Sequence, residues 1–309
     1  MGFGAETTTD EVLDGVDLSG RLALVTGATT GLGLETARAL AAAGAQVVVA
    51  ARGDDKARAA MATIRESVPD ARLEPGVVDL ADLATVRAFA ARFLSQHDAL
   101  HLLVNNAGVM YTPEGRTADG FETQFGTNHL GHFVLTNLLV PALVRGAPAR
   151  VVNLSSGGHF GAGIDWDDPN FERRGYDKFG AYSQSKTANI LFTVELDRRL
   201  APHGVRAYAV HPGMIVTDLG RHMTRDDFAE LRERAKRGPS GGLPAYKTIP
   251  AGAATSVWAA TATELAGTGG VYLADCAVAP AAPHATDPGD ARRLWALSER
   301  LVGQEFPES

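Results

Sequence analysis

The stretch Thr26-Gly27-Ala28-Thr29-Thr30-Gly31-Leu32-Gly33 decides the fold of this 309-residue chain. The mostly apolar run 21–26 before it is typical of a buried β-strand, and the alanine-rich run 32–43 after it is typical of a helix closed by Gly44. Glycines in the spacing GxxxGxG let the backbone turn sharply and approach a pyrophosphate at the N-terminus of the helix. A tight turn with chance glycines is the alternative, but the position between strand and helix favours nucleotide binding.

The rest of the chain repeats this alternation of short strands and longer helices. Apolar, β-branched runs predict further strands at 46–50, 73–78, 100–104, 149–154, 205–210 and 270–273. Longer runs predict helices at 54–67, 82–96, 182–200 and 225–237, with one or two more within 121–144. The pattern indicates an α/β fold: a single doubly wound Rossmann domain over 1–309, with a parallel, roughly seven-stranded sheet and helices on both faces.

Three segments fall outside this alternation. Residues 1–18 are predicted to form an N-terminal arm. Residues 157–179 and 214–250 follow predicted strands and are long and irregular, so we expect both to be insertions that shape a substrate pocket. The second insertion contains a stretch from Gly238 to Pro244 that is rich in glycine and proline and predicted to be flexible.

Composition excludes several classes of protein. A net charge of -7 argues against a nucleic-acid-binding protein. The single cysteine, Cys276, cannot form an intrachain disulfide, and the nine histidines lack ligand spacing, so no metal site is expected. The N-terminus has no apolar core typical of a secretory signal, and no stretch reaches the ~18–20 apolar residues of a membrane span. We therefore expect a cytoplasmic protein.

A second stretch, Ala181-Tyr182-Ser183-Gln184-Ser185-Lys186, places a tyrosine and a lysine four residues apart. In a helix this spacing puts both side chains on one face. A free tyrosine has a pKa near ~10, and a neighbouring cation stabilises its phenolate. Together with a dinucleotide-binding turn, the pair indicates hydride transfer coupled to proton transfer.

The end of the second predicted strand bears on the choice of dinucleotide. NAD enzymes usually carry a carboxylate there, about 20 residues after the glycine turn, to bind the ribose hydroxyls. This chain has Ala50-Ala51 followed by Arg52, and an arginine can pair with a 2′-phosphate. Alternatively Arg52 is a surface residue and Asp54 or Asp55 binds the ribose, although both acids suit the start of the next helix. The sequence favours NADP(H).

Five motifs follow one another along the chain: the turn at 26–33, Asn105-Asn106-Ala107-Gly108, Ser156, the pair Tyr182 and Lys186, and Pro212-Gly213. In this order they resemble the short-chain dehydrogenase/reductase family, and the resemblance extends from about Leu18 to Val302. The stretches at 79–83, 127–133, 188–193 and 292–295 resemble its retinol-dehydrogenase-like branch most closely.

The resemblance implies four catalytic residues: Asn128, Ser156, Tyr182 and Lys186. Tyr182 would exchange a proton with the substrate oxygen, and Lys186 would lower the pKa of Tyr182 and bind the nicotinamide ribose. Ser156 would hydrogen-bond the substrate oxygen, and Asn128 would help to position Lys186 through a proton relay. The implied cofactor site comprises Gly27, Thr29, Thr30, Gly31, Leu32, Arg52, Asp79, Leu80, Asn106, Ala107, Gly108, Tyr182, Lys186, Pro212, Gly213 and Thr217.

Some residue assignments stay open at this point. Ser155 adjoins Ser156, and Tyr176 is a rival tyrosine, although Gly180 rather than a lysine lies four residues on. The candidates for substrate contact in and beside the two insertions are His159, Phe160, Trp166, Phe171, Phe179, Met110, Tyr111, Met214 and Ile215.

The predicted function is that of an NADP(H)-dependent oxidoreductase that interconverts an alcohol and a carbonyl group in a fairly apolar small molecule. The alternatives are an NADP-binding sensor or scaffold protein without turnover, and a reductase of a carbon–carbon double bond. The resemblance also implies a homodimer or homotetramer.

Overall fold

The computed structural model describes residues 2–237 and 242–306, so residues 238–241 of the predicted flexible stretch lie outside the described part. Within it, eight strands form one sheet: β1 (Leu22–Thr26), β2 (Gln46–Ala51), β3 (Arg72–Val77), β4 (Leu102–Asn105), β5 (Ala149–Leu154), β6 (Val205–His211), β7 (Val271–Ala274) and β8 (Ala277–Val278). The strand order is β3-β2-β1-β4-β5-β6-β7-β8. Each neighbouring pair is parallel except β7 and β8, which are antiparallel.

The helices of the described residues are α1 (Thr9–Val12), α2 (Gly31–Ala42), α3 (Asp54–Ser67), α4 (Leu83–Gln96), α5 (Thr123–Phe125), α6 (Gly131–Arg145), α7 (Lys178–Leu200), α8 (Arg225–Arg237), α9 (Ile249–Thr261), α10 (Pro283–Thr286) and α11 (Pro288–Val302). A π-helical turn, Gly126–Leu130, joins α5 to α6. Short 3₁₀ turns occur at Gly157–Gly161, Ala201–His203, Asp218–His222 and Thr263–Leu265.

Both faces of the sheet are buried because the strands are apolar at successive positions. Leu22 and Leu24 point to one face, where α4, α6, α7 and α11 supply the facing side chains. Ala23 and Val25 point to the other face, against residues of α2, α3 and α9. Side chains alternate between the faces of a strand, so a strand buried on both faces is apolar throughout. The predicted α/β fold with helices on both faces is confirmed.

The sheet differs from the predicted seven strands by one short edge strand. Asp275 and Cys276 connect β7 to β8, and both have left-handed backbones, with φ of 52° and 54°. Two consecutive residues with positive φ form the tight turn of a hairpin, which makes the added strand antiparallel. At the opposite edge, β3 contains Pro75, which an edge strand tolerates because one of its sides lacks a partner.

The strand order defines where a ligand crevice opens. The chain winds outward from β1 through β2 to β3, and then returns to place β4 on the other side of β1. Loops that leave the carboxyl ends of β1 and β4 therefore run in opposite directions. This reversal opens a crevice at the carboxyl edge of the sheet, the usual ligand site in open parallel sheets.

The sequence interpretation left four helices unassigned: α1, α9, α10 and α11. Helix α11 packs against α7, and its Trp295 lies in an aromatic cluster with Phe133 and Phe192, at ring-centroid distances of 5.0 and 5.9 Å. The Arg199 guanidinium lies 4.0 Å from the centroid of the Trp295 ring. The C-terminal helix thus completes the core on this face of the sheet.

The helix predicted over 225–237 is α8, while the segment predicted as one or two helices within 121–144 is α5, the π turn and α6. Among the described residues, no helix combines the length and the apolar character needed to cross a membrane. The same part of the chain contains no cluster of three or more metal-ligating side chains.

We expect Trp295→Ala to lower the free energy of unfolding by about 3–5 kcal/mol, because it removes a buried indole from the contact between α11 and α7. Arg292→Ala, on the exposed side of the same helix, should change stability by less than about 0.5 kcal/mol. Urea unfolding followed by circular dichroism would measure both. Equal midpoints for the two variants would contradict a core role for α11.

Candidate active site

The glycine turn brings the loops after β1 and β4 into direct backbone contact. Gly27 has φ of +63°, and a Cβ atom on it would lie 2.8 Å from the Cα of Ala107. A Cβ on Gly33 would collide with the side-chain amide of Asn106 and the carbonyl of Gly27. Only glycine meets both the positive φ and the close approach at position 27. The turn is therefore shaped by its contact with the 105–108 loop.

Hydrogen bonds lock this contact. The hydroxyl of Thr26 accepts from the backbone N–H groups of Asn106 and Ala107, at 2.9 and 3.0 Å. The Asn106 amide donates back to the carbonyls of Thr26 and Gly27, at 2.8 and 3.2 Å. The side chain of Asn106, a predicted cofactor-binding residue, thus also holds the glycine turn in place.

One cavity of about 1460 Å³ opens at this edge of the sheet, and all the predicted cofactor-binding residues line it. At one end lie the glycine turn and Arg52, and in the middle lie Gly108, Lys186 and Gly213. Thr217 contacts the glycine turn, since a Cβ on Gly31 would lie 3.3 Å from its methyl group. The dimensions and the backbone cradle fit a dinucleotide.

Tyr182 and Lys186 project from the first turns of α7 into this cavity. The Lys186 ammonium lies 5.6 Å from the centroid of the Tyr182 ring and donates to the Leu154 carbonyl at 3.0 Å. Ser156 follows β5, and its hydroxyl accepts from the N–H of Gly158 at 3.0 Å. Because Gly158 lacks a side chain, the ring of Tyr182 can pack against its backbone. Three of the four predicted catalytic side chains thus lie together in the cavity.

Burial shifts the two titratable groups in opposite directions. It raises the pKa of the Tyr182 phenol to about 12, and a hydrogen bond with Ser156 opposes that shift. It lowers the pKa of the Lys186 ammonium to about 8. Removal from water disfavours a phenolate and an ammonium alike. The pKa of Tyr182 therefore lies above its ordinary value of 10.0, in the direction opposite to the lowering expected from Lys186.

Asn128 lies in the π turn and reaches the catalytic helix indirectly. Its side-chain oxygen accepts from the N–H of Val109 at 2.8 Å, and its amide donates to the Val109 carbonyl at 2.9 Å. The amide also donates to the Ser185 hydroxyl at 3.0 Å, next to Lys186 along α7. Asn128 therefore fixes the loop after β4 against α7.

The structure separates the two pairs of alternatives that the sequence left open, the two serines and the two tyrosines. Ser155 donates to the Lys186 carbonyl at 2.9 Å, whereas Ser156 lies beside the phenol of Tyr182. The rival Tyr176 donates to the carbonyl of Thr112 at 3.1 Å, outside the lining of the cavity. Both serines line the cavity, but it is Ser156 that bonds to the phenol of Tyr182, and of the two tyrosines it is Tyr182 that lines the cavity.

Two cations lie at the end of the cavity beyond β2. Arg52 follows β2 directly, and Lys56 projects from the first turn of α3. Both are exposed and neither forms an ion pair with another described residue, whereas Arg58 on the same helix is paired with Asp54 at 2.5 Å. The sequence interpretation missed Lys56. Only the fold shows that the first turn of α3 faces the cavity, so no local sequence pattern indicated Lys56.

The other end of the cavity is an apolar chamber beside Tyr182. Six side chains line it: Met110, Tyr111, Phe179, Met223, Phe228 and Leu231. Helix α8 forms one wall, and Lys178 holds it through an ion pair with Asp227 at 2.5 Å. Of the predicted contact residues, Phe160, Met214 and Ile215 line the same cavity. Trp166 and Phe171 instead pack beneath arginine side chains, Arg293 at 4.3 Å and Arg174 at 3.8 Å from the ring centroids.

Two histidines shape the loops around Ser156: His211, which the sequence interpretation missed, and His159, a predicted substrate contact that does not line the cavity. The His211 ring accepts from the N–H of Gly157 at 3.1 Å and from that of Gly213 at 3.4 Å, so it joins the serine loop to the Pro212-Gly213 turn. The His159 ring donates to the Ser156 carbonyl at 2.7 Å and accepts from the N–H of Ala282 at 3.0 Å. His211 adjoins a recognised motif, but no local pattern indicates these contacts.

Comparison with known proteins agrees with this geometry. Residues 21–227 match the family model described as short chain dehydrogenase. The chain is 43% identical to retinol dehydrogenase 13 of Homo sapiens, over 94% of this chain and 87% of the relative. The chain therefore belongs to the short-chain dehydrogenase/reductase family and is retinol-dehydrogenase-like.

Solved structures share the fold. An uncharacterized protein from Mycobacterium Paratuberculosis aligns with a TM-score of 0.77 and 37% identity, covering 98% of this chain and 99% of that one. A gluconate 5-dehydrogenase from Burkholderia cenocepacia J2315, solved in complex with NADP and tartrate, aligns with a TM-score of 0.63 and 26% identity. That alignment covers 89% of this chain and 97% of the gluconate dehydrogenase.

We expect the Lys186 side chain to titrate near pH 8 in the protein with no nucleotide added, below the ordinary lysine value of 10.5, because its ammonium is buried. An NMR titration of isotope-labelled lysine side chains would show one signal with this midpoint. The signal should be absent from Lys186→Met. If every lysine signal titrates near the ordinary value, the proposed burial of the ammonium is wrong.

Proposed function

We propose that the protein is an NADP(H)-dependent oxidoreductase that interconverts an alcohol and a carbonyl group in an apolar small molecule. The observation that carries the proposal is the position of Ser156, Tyr182 and Lys186 between the dinucleotide cradle and the apolar chamber of one cavity. A bound nicotinamide would supply the hydride chemistry, and the protein would orient the reactants.

Tyr182 is the proposed proton donor in the direction of carbonyl reduction. Burial keeps its phenol protonated at neutral pH, since its pKa is raised to about 12. Hydride addition to a carbonyl carbon leaves charge on the oxygen, and an alkoxide is a stronger base than a phenolate. The phenol proton can therefore pass to the developing alkoxide, and the reverse transfer accompanies oxidation of the alcohol.

Ser156 and Lys186 have free hydrogen-bonding capacity for their proposed roles. The Ser156 hydroxyl accepts from Gly158, which leaves its own proton to be donated to the phenol or to the substrate oxygen. One N–H of Lys186 donates to Leu154, and an ammonium has three. The remaining two can bind ribose hydroxyls and stabilise negative charge on Tyr182 during proton transfer.

The preference for NADP(H) rests on Arg52 and Lys56. A 2′-phosphate adds negative charge at the adenosine ribose, and the two exposed cations lie at that end of the cavity. Arginine binds a phosphate through two parallel N–H groups, and lysine adds a point charge. The solved gluconate 5-dehydrogenase, which contains NADP, supports the choice.

We infer an apolar substrate because apolar side chains line the chamber beside Tyr182. Met110, Phe179 and Leu231 surround the phenol with hydrocarbon and aromatic surface. Burial of such surface against a ligand stabilises the complex in proportion to the area removed from water. The similarity to retinol dehydrogenase 13, whose name denotes an apolar alcohol substrate, agrees with this substrate class.

Tyr182→Phe should lower kcat by at least about 100-fold and leave NADPH affinity nearly intact, because it removes the proton donor and keeps the ring. A panel of aldehydes and ketones, read as loss of NADPH absorbance, would measure kcat, and calorimetry would measure binding. Tyr176→Phe is the matched control and should retain turnover, since Tyr176 lies outside the cavity lining. Full activity of Tyr182→Phe would refute the assigned role.

Arg52→Ala and Lys56→Ala should each weaken NADPH binding, by about tenfold or more for Arg52, because a charge-assisted hydrogen bond to the phosphate is lost. NADH binding should be unaffected in both variants. Arg58→Ala, on the same helix but paired with Asp54, should leave both affinities unchanged. An unaltered ratio of NADPH to NADH affinity in the Arg52 and Lys56 variants would favour NAD(H) instead.

A further inference from the structure

His132 is a buried polar side chain that the proposed chemistry does not use. It lies in the first turn of α6 and touches two segments that border the cavity. Its Nε2 atom lies 2.9 Å from the hydroxyl oxygen of Thr26, at the start of the glycine turn. Its Nδ1 atom lies 3.0 Å from the backbone carbonyl of Asn128, in the π turn.

The partners of the ring determine which nitrogen carries the proton. The Asn128 carbonyl can only accept, so Nδ1 must donate and Nε2 of a neutral ring must accept. The hydroxyl of Thr26 already accepts from the N–H groups of Asn106 and Ala107, and its own proton goes to Nε2 at 2.9 Å, which is nearer than the Val104 carbonyl at 3.4 Å. Every lone pair and proton of this hydroxyl then has a partner. Burial also lowers the pKa of His132 to about 4, which keeps the ring neutral near pH 7.

The carbonyl of Asn128 lies where helical hydrogen bonding changes register. The N–H of Gly131 bonds to the carbonyl of Gly126, five residues earlier, so the regular pattern is interrupted across the π turn. The ring of His132 supplies the Asn128 carbonyl with a donor. The side chain of the same Asn128 binds Val109 and Ser185, so holding its backbone also orients its amide toward α7.

We propose that His132 is a positioning residue that joins the cofactor turn to the catalytic helix by fixing the Thr26 hydroxyl and the Asn128 carbonyl at once. Through Thr26 it supports the contact between the glycine turn and the 105–108 loop. Through Asn128 and Ser185 it supports the segment of α7 that carries Tyr182 and Lys186. The inference rests on the proposed function, because NADPH affinity and turnover are two of its readouts.

Three substitutions separate the two contacts. His132→Phe keeps a ring but removes both hydrogen bonds, so NADPH affinity and kcat should each fall by at least about fivefold. His132→Asn places a donor near the Nδ1 position and should restore kcat more than affinity. His132→Gln places a polar group near the Nε2 position, toward Thr26, and should restore NADPH affinity more than kcat.

His129→Phe is the matched control. His129 is also buried, lies three residues earlier, and bonds through Nε2 to the Ser298 hydroxyl at 2.8 Å, away from the cofactor turn. This variant should lower the melting temperature but keep NADPH affinity and kcat near those of the wild type. Losses equal to those of His132→Phe would assign the effect to general packing and overturn the proposal.

The tautomer of His132 is a readout that requires neither a bound cofactor nor turnover. Long-range ¹⁵N–¹H NMR with no nucleotide added would measure it. The proposal requires a neutral ring protonated at Nδ1, with its signals absent from His132→Phe. A ring protonated at Nε2, or wild-type affinity and kcat in His132→Phe, would overturn the proposal. The proposed function fails separately if the wild-type protein binds neither NADPH nor NADH.

Discussion

The close approach of Gly27 to Ala107 is the constraint on which the rest of the site depends. A Cβ on Gly27 would lie 2.8 Å from the Ala107 Cα, so the loops after β1 and β4 meet with no side chain between them. This contact closes the floor of the crevice at the point where the strand order reverses. It also directs the backbone of the turn toward the cavity, where a pyrophosphate can meet the N-terminus of α2.

Burial sets the pKa values of the two titratable side chains in the site, Tyr182 and Lys186. The Tyr182 phenol and the Lys186 ammonium lie where neither charged form is well solvated, so the pKa of the phenol rises to about 12 and the pKa of the ammonium falls to about 8. The fold tolerates a buried ammonium because the Leu154 carbonyl accepts from it. Tyr182 and Lys186 line one cavity together with the glycine turn and the apolar chamber.

Local patterns in the sequence account for most of the fold and for the main part of the candidate site. The spacing of Gly27, Gly31 and Gly33 and the four-residue step from Tyr182 to Lys186 reflect backbone geometry within one turn, so they can be read without tertiary information. Lys56 and His132 could not be found this way, because their importance depends on which segments the folded chain brings beside them.

The unassigned helices begin with recognisable signals that were not used. Thr248 caps α9 and Asp287 caps α11, and each helix has a proline within its first two positions. The π turn around Asn128 has no such signature, since its register depends on the fit of α6 against the sheet. The residue types were thus visible in the sequence, but the hydrogen bonds that give Asn128 and His132 their surroundings were not.

A crystal structure of the NADPH complex tests the central claim most directly, which is that one cavity presents a bound nicotinamide to Tyr182. The account predicts the 2′-phosphate in contact with Arg52 and Lys56, and the nicotinamide beside Gly213 with its reactive carbon facing the Tyr182 hydroxyl. A nucleotide bound with its nicotinamide directed away from Tyr182, or with its phosphate remote from both cations, would contradict it.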